Sequence, residues 1–226
     1  MKFCGIVLEG ITGSGKSTLY QRLGRSPRVL SYESRLFLAQ AYTLRMAPEA
    51  GECETLHRLV DAVERLHAPY WRSEFSARDD ARGSLCWVME GFQYYMALDR
   101  CAPTADAALV ASVEARLCEL GGHLVVLTVQ PDAILEQCVR STLRHRGSGW
   151  RDFLFRMGRT ETEVAEVLRR RQERLLALVT ATRLPVIRLD STTQDWDDLT
   201  ARVEAHLAPG TPVALSGLSP LAELPS

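Results

Sequence analysis

The chain has 226 residues, 27 of them basic and 28 acidic, with a formal net charge of -1 and 46% hydrophobic residues. That length suits one α/β domain with a full core and at most a small appendage. The near balance of charge excludes partners held by a broad basic surface, so neither nucleic acid nor an acidic membrane is expected. Cysteines at 4, 53, 86, 101, 118 and 138 form no C-x-x-C pair and no metal-ligand spacing, and they read as reduced core thiols of a cytoplasmic protein. No signal peptide or run of transmembrane length is expected.

The first strand is expected over residues 3–8, a continuous apolar run of the kind buried on both faces of a sheet. It leads into Gly10-Ile11-Thr12-Gly13-Ser14-Gly15-Lys16-Ser17 and then a short helical pattern that ends near Gly24 and Pro27. Two fixed glycines followed by Lys and Ser, between a strand and a helix, form a phosphate-binding pattern. Glycines let backbone N–H groups and the helix N-terminus converge on one anion. Gly10, Thr12, Gly13, Ser14, Gly15, Lys16, Ser17 and Thr18 are therefore the expected phosphate ligands, with Ser17 also a ligand of Mg²⁺. The only other lysine is Lys2.

A second strand is expected over Val29–Tyr32, which would put Glu33 at its carboxyl end, where ligands gather in open parallel sheets. From Ser34 to Met46 the spacing predicts a helix, with Arg35, Leu38, Tyr42 and Arg45 on one face. That face is either a solvated stripe or part of an acceptor site. Leu56, Leu59, Val60, Val63 and Leu66 mark an amphipathic helix that ends before Pro69. Asp80-Ala81-Arg82-Gly83 matches the D-x-x-G of switch GTPases only in letters, and no N-K-x-D occurs, so a regulatory GTPase is not expected.

Leu85–Met89 reads as the third strand and ends in Glu90, a carboxylate placed to hold Mg²⁺ or to orient an attacking group, or else an ordinary strand-end acid. Gln93 and Tyr94 follow as candidate acceptor contacts or core. A helix over Thr104–Leu120 is stopped by Gly121-Gly122, His123–Val129 is the fourth strand, and Pro131 opens another helix. Residues 140–159 hold six arginines, Arg144 and Arg146 among them, and one acid, Asp152. Glycines within this run suggest a lid closing on phosphates, the alternative being a basic surface loop. Thr160-Glu161-Thr162-Glu163 is a capping box opening a long helix with an apolar seam at Val164, Leu168, Leu175 and Leu178, interrupted by Arg171. Pro185–Leu189 is the fifth strand and Trp196–Leu207 the last helix; residues 208–226 form a Pro/Gly/Ser-rich tail.

With these residues placed, residues 3–207 resemble the P-loop nucleoside and nucleotide kinases, especially the thymidylate kinase and deoxynucleoside kinase branch. Leu8-Glu9-Gly10 through Ser17-Thr18 is similar to the opening of those enzymes, and Arg144-His145-Arg146 to the Arg-x-Arg of their lid. Asp190-Ser191 resembles the segment near their adenine. The resemblance implies a three-layer fold with a five-stranded parallel sheet in the order 2-3-1-4-5, a lid at about 140–159 and a kinase domain over 1–207. It also implies transfer of the γ-phosphoryl group of ATP to a small-molecule acceptor, a nucleoside or nucleotide first, with an antibiotic, sugar or other metabolite hydroxyl as the alternative. Lys16, Glu33, Glu90, Arg144 and Arg146 are the expected catalytic residues, and Ser17 and Glu90 the expected metal ligands. Glu33, Arg35, Tyr42, Arg45, Arg72, Gln93 and Tyr94 are the expected acceptor contacts. Ser34 and Gly91 stand where the family has proline and arginine. Arg35, Arg45 or Arg72 then substitutes for that arginine, or the acceptor differs. A nucleotide-binding regulatory protein with little turnover is the rival of another class, and a homodimer is an open expectation.

Overall fold

The computed structural model describes residues 2–32, 34–39, 84–90, 111 and 114–207. In chain order these form β1 (Lys2–Gly10), α1 (Lys16–Leu23), α2 (Pro27–Leu30), β2 (Ser34–Ala39) and β3 (Ser84–Glu90). Next come α3 (residues 114–119), β4 (Gly122–Thr128) and α4, a π-helical stretch over Leu135–Arg140 that continues as an α-helix over Ser141–His145. The chain continues through α5 (Ser148–Phe155), α6 (Glu161–Val179), β5 (Val186–Asp190) and α7 (Trp196–His206). The strands lie side by side in the order β2-β3-β1-β4-β5, every neighbouring pair parallel.

Side chains alternate across a strand, and the core divides accordingly. Cys4, Ile6 and Leu8 of β1, Cys86 and Val88 of β3, and Val125 and Leu127 of β4 face Leu19 and Leu23 of α1, Val29 of α2, and Leu199 and Val203 of α7. Val7, Trp87, Met89, Leu124 and Val126 face the other way, toward Leu117, Leu120 and the α6 residues Leu175 and Val179. Helices thus cover both faces, which gives three layers and accounts for the uninterrupted apolar strands. Trp87 is fully buried and its indole N–H donates to Leu120 O at 3.0 Å. Gly5 makes room for it, since a Cβ there would lie 1.9 Å from the ring. A third cluster joins Ile11 and Val129 to Ile134, Cys138 and Val139 of the 134–145 segment, Leu154 of α5, and Val164 and Leu168 of α6.

Three expectations are corrected. Val29 and Leu30 lie in a helical turn, not a strand: Pro27 occupies the first position, and Ser26 caps it by accepting from Val29 N–H at 3.3 Å. Residues 34–39, expected as helix, form β2, whose backbone pairs with β3 from Ser34↔Leu85 to Ala39↔Glu90. Short apolar runs carry no decisive period, and pairing with a preformed neighbour decides them. Arg35 and Leu38 are therefore not on a helix face. The seam of α6 also differs, running Val164, Leu168, Gln172, Leu175 and Val179, so that Gln172 rather than Arg171 occupies the core-facing position. Thr160 caps α6 as expected, accepting from Glu163 N–H at 3.2 Å, while the Glu163 carboxylate accepts from Arg159 N–H at 2.7 Å. The helix expected over 56–66 and the tail 208–226 lie outside the described residues.

At the amino end of β4, His123 packs edge-on against His206 of α7, with ring centroids 5.1 Å apart. Burial, with the second imidazole adding to it, holds His123 down to about 4 from 6.5, and burial lowers His206 as well. The unfolded chain then binds more protons than the native one between those values, so native stability is lost as the pH falls from about 6.5 to about 4. Thermal unfolding of His123→Asn beside the wild type measures this. The difference between their melting temperatures should change across that pH window, and parallel curves would contradict the assignment.

Candidate functional site

The carboxyl edge of the sheet is where the chain concentrates its polar groups. β1 ends at Gly10, and after five intervening residues α1 begins at Lys16, with Gly15 as its N-cap in the left-handed region at φ 91°. Gly13 is also left-handed, at φ 80°, and only glycine takes these turns without strain. Both are closely covered as well. A Cβ on Gly13 would lie 2.5 Å from Cys138 Cα, and one on Gly15 would lie 1.9 Å from the Trp196 ring. The loop is thus wedged between α4 and the start of α7. The Gly15 carbonyl accepts from Thr18 and Leu19 N–H, each at 3.0 Å, which starts α1 directly at the turn. An α-helix leaves its first N–H groups without intrahelical acceptors, and these carry the positive end of the helix dipole.

Lys16 is half-buried and folds back over the loop, donating to Gly10 O at 2.6 Å and Ile11 O at 2.9 Å. Burial holds its ammonium below the ordinary lysine range, while the carboxylates of Glu9 and Glu90 act to raise it and Arg146 adds to the lowering. Glu9 itself is fully buried on β1. Next to Lys16, the Ser17 hydroxyl donates to Glu90 Oε1 at 2.6 Å. The register Leu8↔Glu90 sets this contact, because it brings the tip of β3 beside the strand that feeds the loop. Tyr20, one turn further along α1, has its phenol pushed up by burial and by the Glu90 charge. Lys16, Ser17 and Glu90, chosen from the sequence on separate grounds, therefore meet at one place.

The arginines of 140–159 divide. Arg140 donates to Glu161 at 2.9 Å and to Glu136 at 3.4 Å, and Arg144 is paired with Glu136. Arg146 caps the end of α4 in extended conformation and stacks over the Trp150 ring, 4.3 Å from its centroid. Its charge is felt at Lys16. Gly147 and Gly149 have open space where a Cβ would stand and no positive φ. The segment forms two short helices joined at Gly147. Arg35 sits near the amino end of β2, opposite Cys86, and donates to Leu30 O at 3.0 Å; it is not brought to the loop. Glu33, Tyr42, Arg45, Arg72, Gln93 and Tyr94 lie outside the described residues.

Four residues support the site in ways the sequence reading did not reach. The fully buried Ser191 hydroxyl, just past β5, lies 2.8 Å from Ser14 O and 3.0 Å from Thr128 O, tying the loop to the tip of β4. Asp190 fixes that corner by accepting from Thr192 N–H at 2.9 Å and from the Gln130 amide at 2.5 Å. Gln172 clamps the end of β4 by exchanging two 2.8 Å bonds with the backbone of Val129. Trp196 is the wedge over Gly15. Gln172 left a trace in the sequence, as a polar residue four positions after Leu168 on an apolar seam, and Asp190-Ser191 stood out there only through the resemblance, in another role.

Among the described residues no group of three or more His, Cys, Asp or Glu is arranged to hold a metal. The Ser17–Glu90 oxygen pair does fit a hard cation that keeps most of its ligands as water or substrate oxygen, as Mg²⁺ does. No helix among the described residues is long and apolar enough to cross a membrane.

Fold and loop together define the protein as a three-layer α/β protein with a glycine-rich turn between β1 and α1. No protein-family model and no curated protein matches the chain. Among solved structures, it is similar to the YorR protein from Bacillus subtilis in complex with phosphorylated GDP, at 15% identity over 88% of this chain and 92% of that one, with a TM-score of 0.48. It is likewise similar to APE1195, at 15% identity over 91% and 95% of the two chains, with a TM-score of 0.44.

Replacing Ser191 by Ala removes the link between loop and β4 while leaving the backbone bond from Ser191 N–H to Thr128 O. Stability should fall by about 1–2 kcal/mol, the cost of stranding a buried acceptor. Chemical denaturation measures it, and an unchanged midpoint would contradict the role given to Ser191.

Proposed function

We propose that the chain is an ATP-dependent phosphotransferase that moves a phosphoryl group to a small-molecule acceptor, with a nucleoside or nucleotide as the first acceptor class. One observation carries the reading: the Ser17 hydroxyl and Glu90 carboxylate meet at 2.6 Å beside Lys16, in the first turn of the helix that a left-handed glycine caps.

In this reading the phosphate chain lies over Gly13–Ser17, held by backbone N–H groups and the dipole of α1. Lys16 exchanges the carbonyls of Gly10 and Ile11 for phosphate oxygens. That exchange suits a half-buried ammonium, whose charge is poorly solvated and gains most from an anion. Ser17 and Glu90 would hold Mg²⁺, which when bound neutralises charge on the phosphate oxygens. Glu90, at the end of the strand that lies between β1 and β2, orients the attacking hydroxyl or takes its proton. The acceptor oxygen bonds to the γ-phosphorus as the bridging oxygen departs with ADP. Arg146, whose charge reaches Lys16, supplies fork-shaped donors to the oxygens of the moving group.

Lys16→Ala should lower turnover by about 10² or more with the fold retained. Glu90→Gln should lower kcat by about 10² to 10⁴ while ATP affinity changes little. Steady-state kinetics with product detection, paired with calorimetric titration of ATP, checks both. ADP must appear in proportion to phosphorylated acceptor. ATP binding without turnover across a panel of nucleosides, nucleotides and hydroxylated metabolites would overturn the reading.

A further inference from the structure

A guanidinium offers two kinds of contact: its planar edge carries the N–H fork, and its faces can stack on an aromatic ring. Edge and face are used differently by the arginines of α4 and by the one that caps it. Arg140 and Arg144 spend their edges on carboxylates, Glu136 and Glu161 for the first and Glu136 for the second. Arg146 instead lies with its guanidinium carbon 4.3 Å from the centroid of the Trp150 ring. No described residue accepts a hydrogen bond from its fork. The ring is itself held, half-buried and edge-on to Phe153 at 5.5 Å. The backbone favours the same meeting: Arg146 ends α4, Gly147 caps α5, and Trp150 N–H donates to Gly147 O at 3.0 Å, so the ring folds back beneath the arginine.

We infer that Trp150 is a positioning residue, holding Arg146 by one face so that its N–H fork stays available to a phosphate group bound at the loop. This rests on the phosphotransferase reading given above. A carboxylate in Trp150's place would compete with phosphate for the fork. An aromatic face attracts the cation without using the donors that phosphate needs, and it reduces the rotamer freedom lost on binding.

The test is a double-mutant cycle between Trp150 and Arg146. Trp150→Leu, Trp150→Phe, Arg146→Ala and the Leu/Ala double variant are compared by kcat, KM and affinity for a non-hydrolysable ATP analogue, with melting temperature recorded for each. Trp150→Leu should lower kcat by roughly 3- to 30-fold, the span of a cation–π contact as it goes from exposed to desolvated. Trp150→Phe should recover a large part of that loss, and Trp150→Leu should cost nothing further once Arg146 is alanine. A Leu variant as active as the wild type, a Phe variant no better than Leu, or equal losses in both arginine backgrounds would overturn the inference. Arg146→Ala without effect would overturn it too. If Lys16→Ala still abolishes turnover in that case, the phosphotransferase reading stands and only the role of Trp150 falls; an unimpaired Lys16→Ala enzyme sinks the reading itself.

Discussion

Everything at the carboxyl edge depends on one turn, the left-handed passage through Gly13 and Gly15 that converts the end of β1 into the start of α1. This turn starts α1 directly at Lys16 and so sets Lys16 and Ser17 in its first turn. Such a turn is costly in an unsupported chain, because glycine loses the most conformational freedom on folding. The surrounding elements offset that cost by crowding it. Cys138 presses on Gly13, Trp196 covers Gly15, and Ser191 ties Ser14 O to the tip of β4. Three residues distant in sequence thus hold Gly13, Ser14 and Gly15 in one conformation, and β4 is clamped in turn by Gln172.

The electrostatics follow from that geometry. Two carboxylates, Glu9 and Glu90, and one arginine, Arg146, act on a lysine whose charge is already disfavoured by burial. In such a setting an ammonium is poised to exchange neutral carbonyl partners for an anion. The Ser17–Glu90 contact is a second group of the same kind, a hydroxyl and a carboxylate that satisfy each other at 2.6 Å. Both contacts lie at the place where the sheet register sets β3 beside β1.

The loop was legible in the sequence because its requirements are local: φ-permissive glycines, a lysine and a hydroxyl at fixed spacing between a strand and a helix. Strands β3, β4 and β5 were legible for a similar reason, as continuous apolar runs bounded by turn residues. β2 was not. Residues 34–39 become a strand by pairing with β3, a long-range fact that periodicity does not carry, and Pro27 with Ser26 makes a helical turn of the run that resembled one. Ser191, Trp196 and Gln172 were missed because their importance lies in which backbone atoms they meet across the fold. The arginine-rich run was legible as a charge concentration, yet which of its arginines pair with Glu136 and Glu161 and which one stacks on Trp150 depended on three-dimensional placement.

The central claim is that the turn from Gly13 to Ser17 receives a phosphate chain and that Lys16 changes partners when it does. The chain's lysine content makes this directly observable, since Lys2 and Lys16 are its only lysines. Protein labelled with a nitrogen isotope at lysine gives one backbone amide signal for each, and titration with ATP and Mg²⁺ reports on the loop through the Lys16 signal alone. The account predicts a large, saturable shift of the Lys16 amide, with the Lys2 signal unmoved and tripolyphosphate reproducing most of the effect. A Lys16 amide that stays in place while calorimetry shows ATP bound would contradict it.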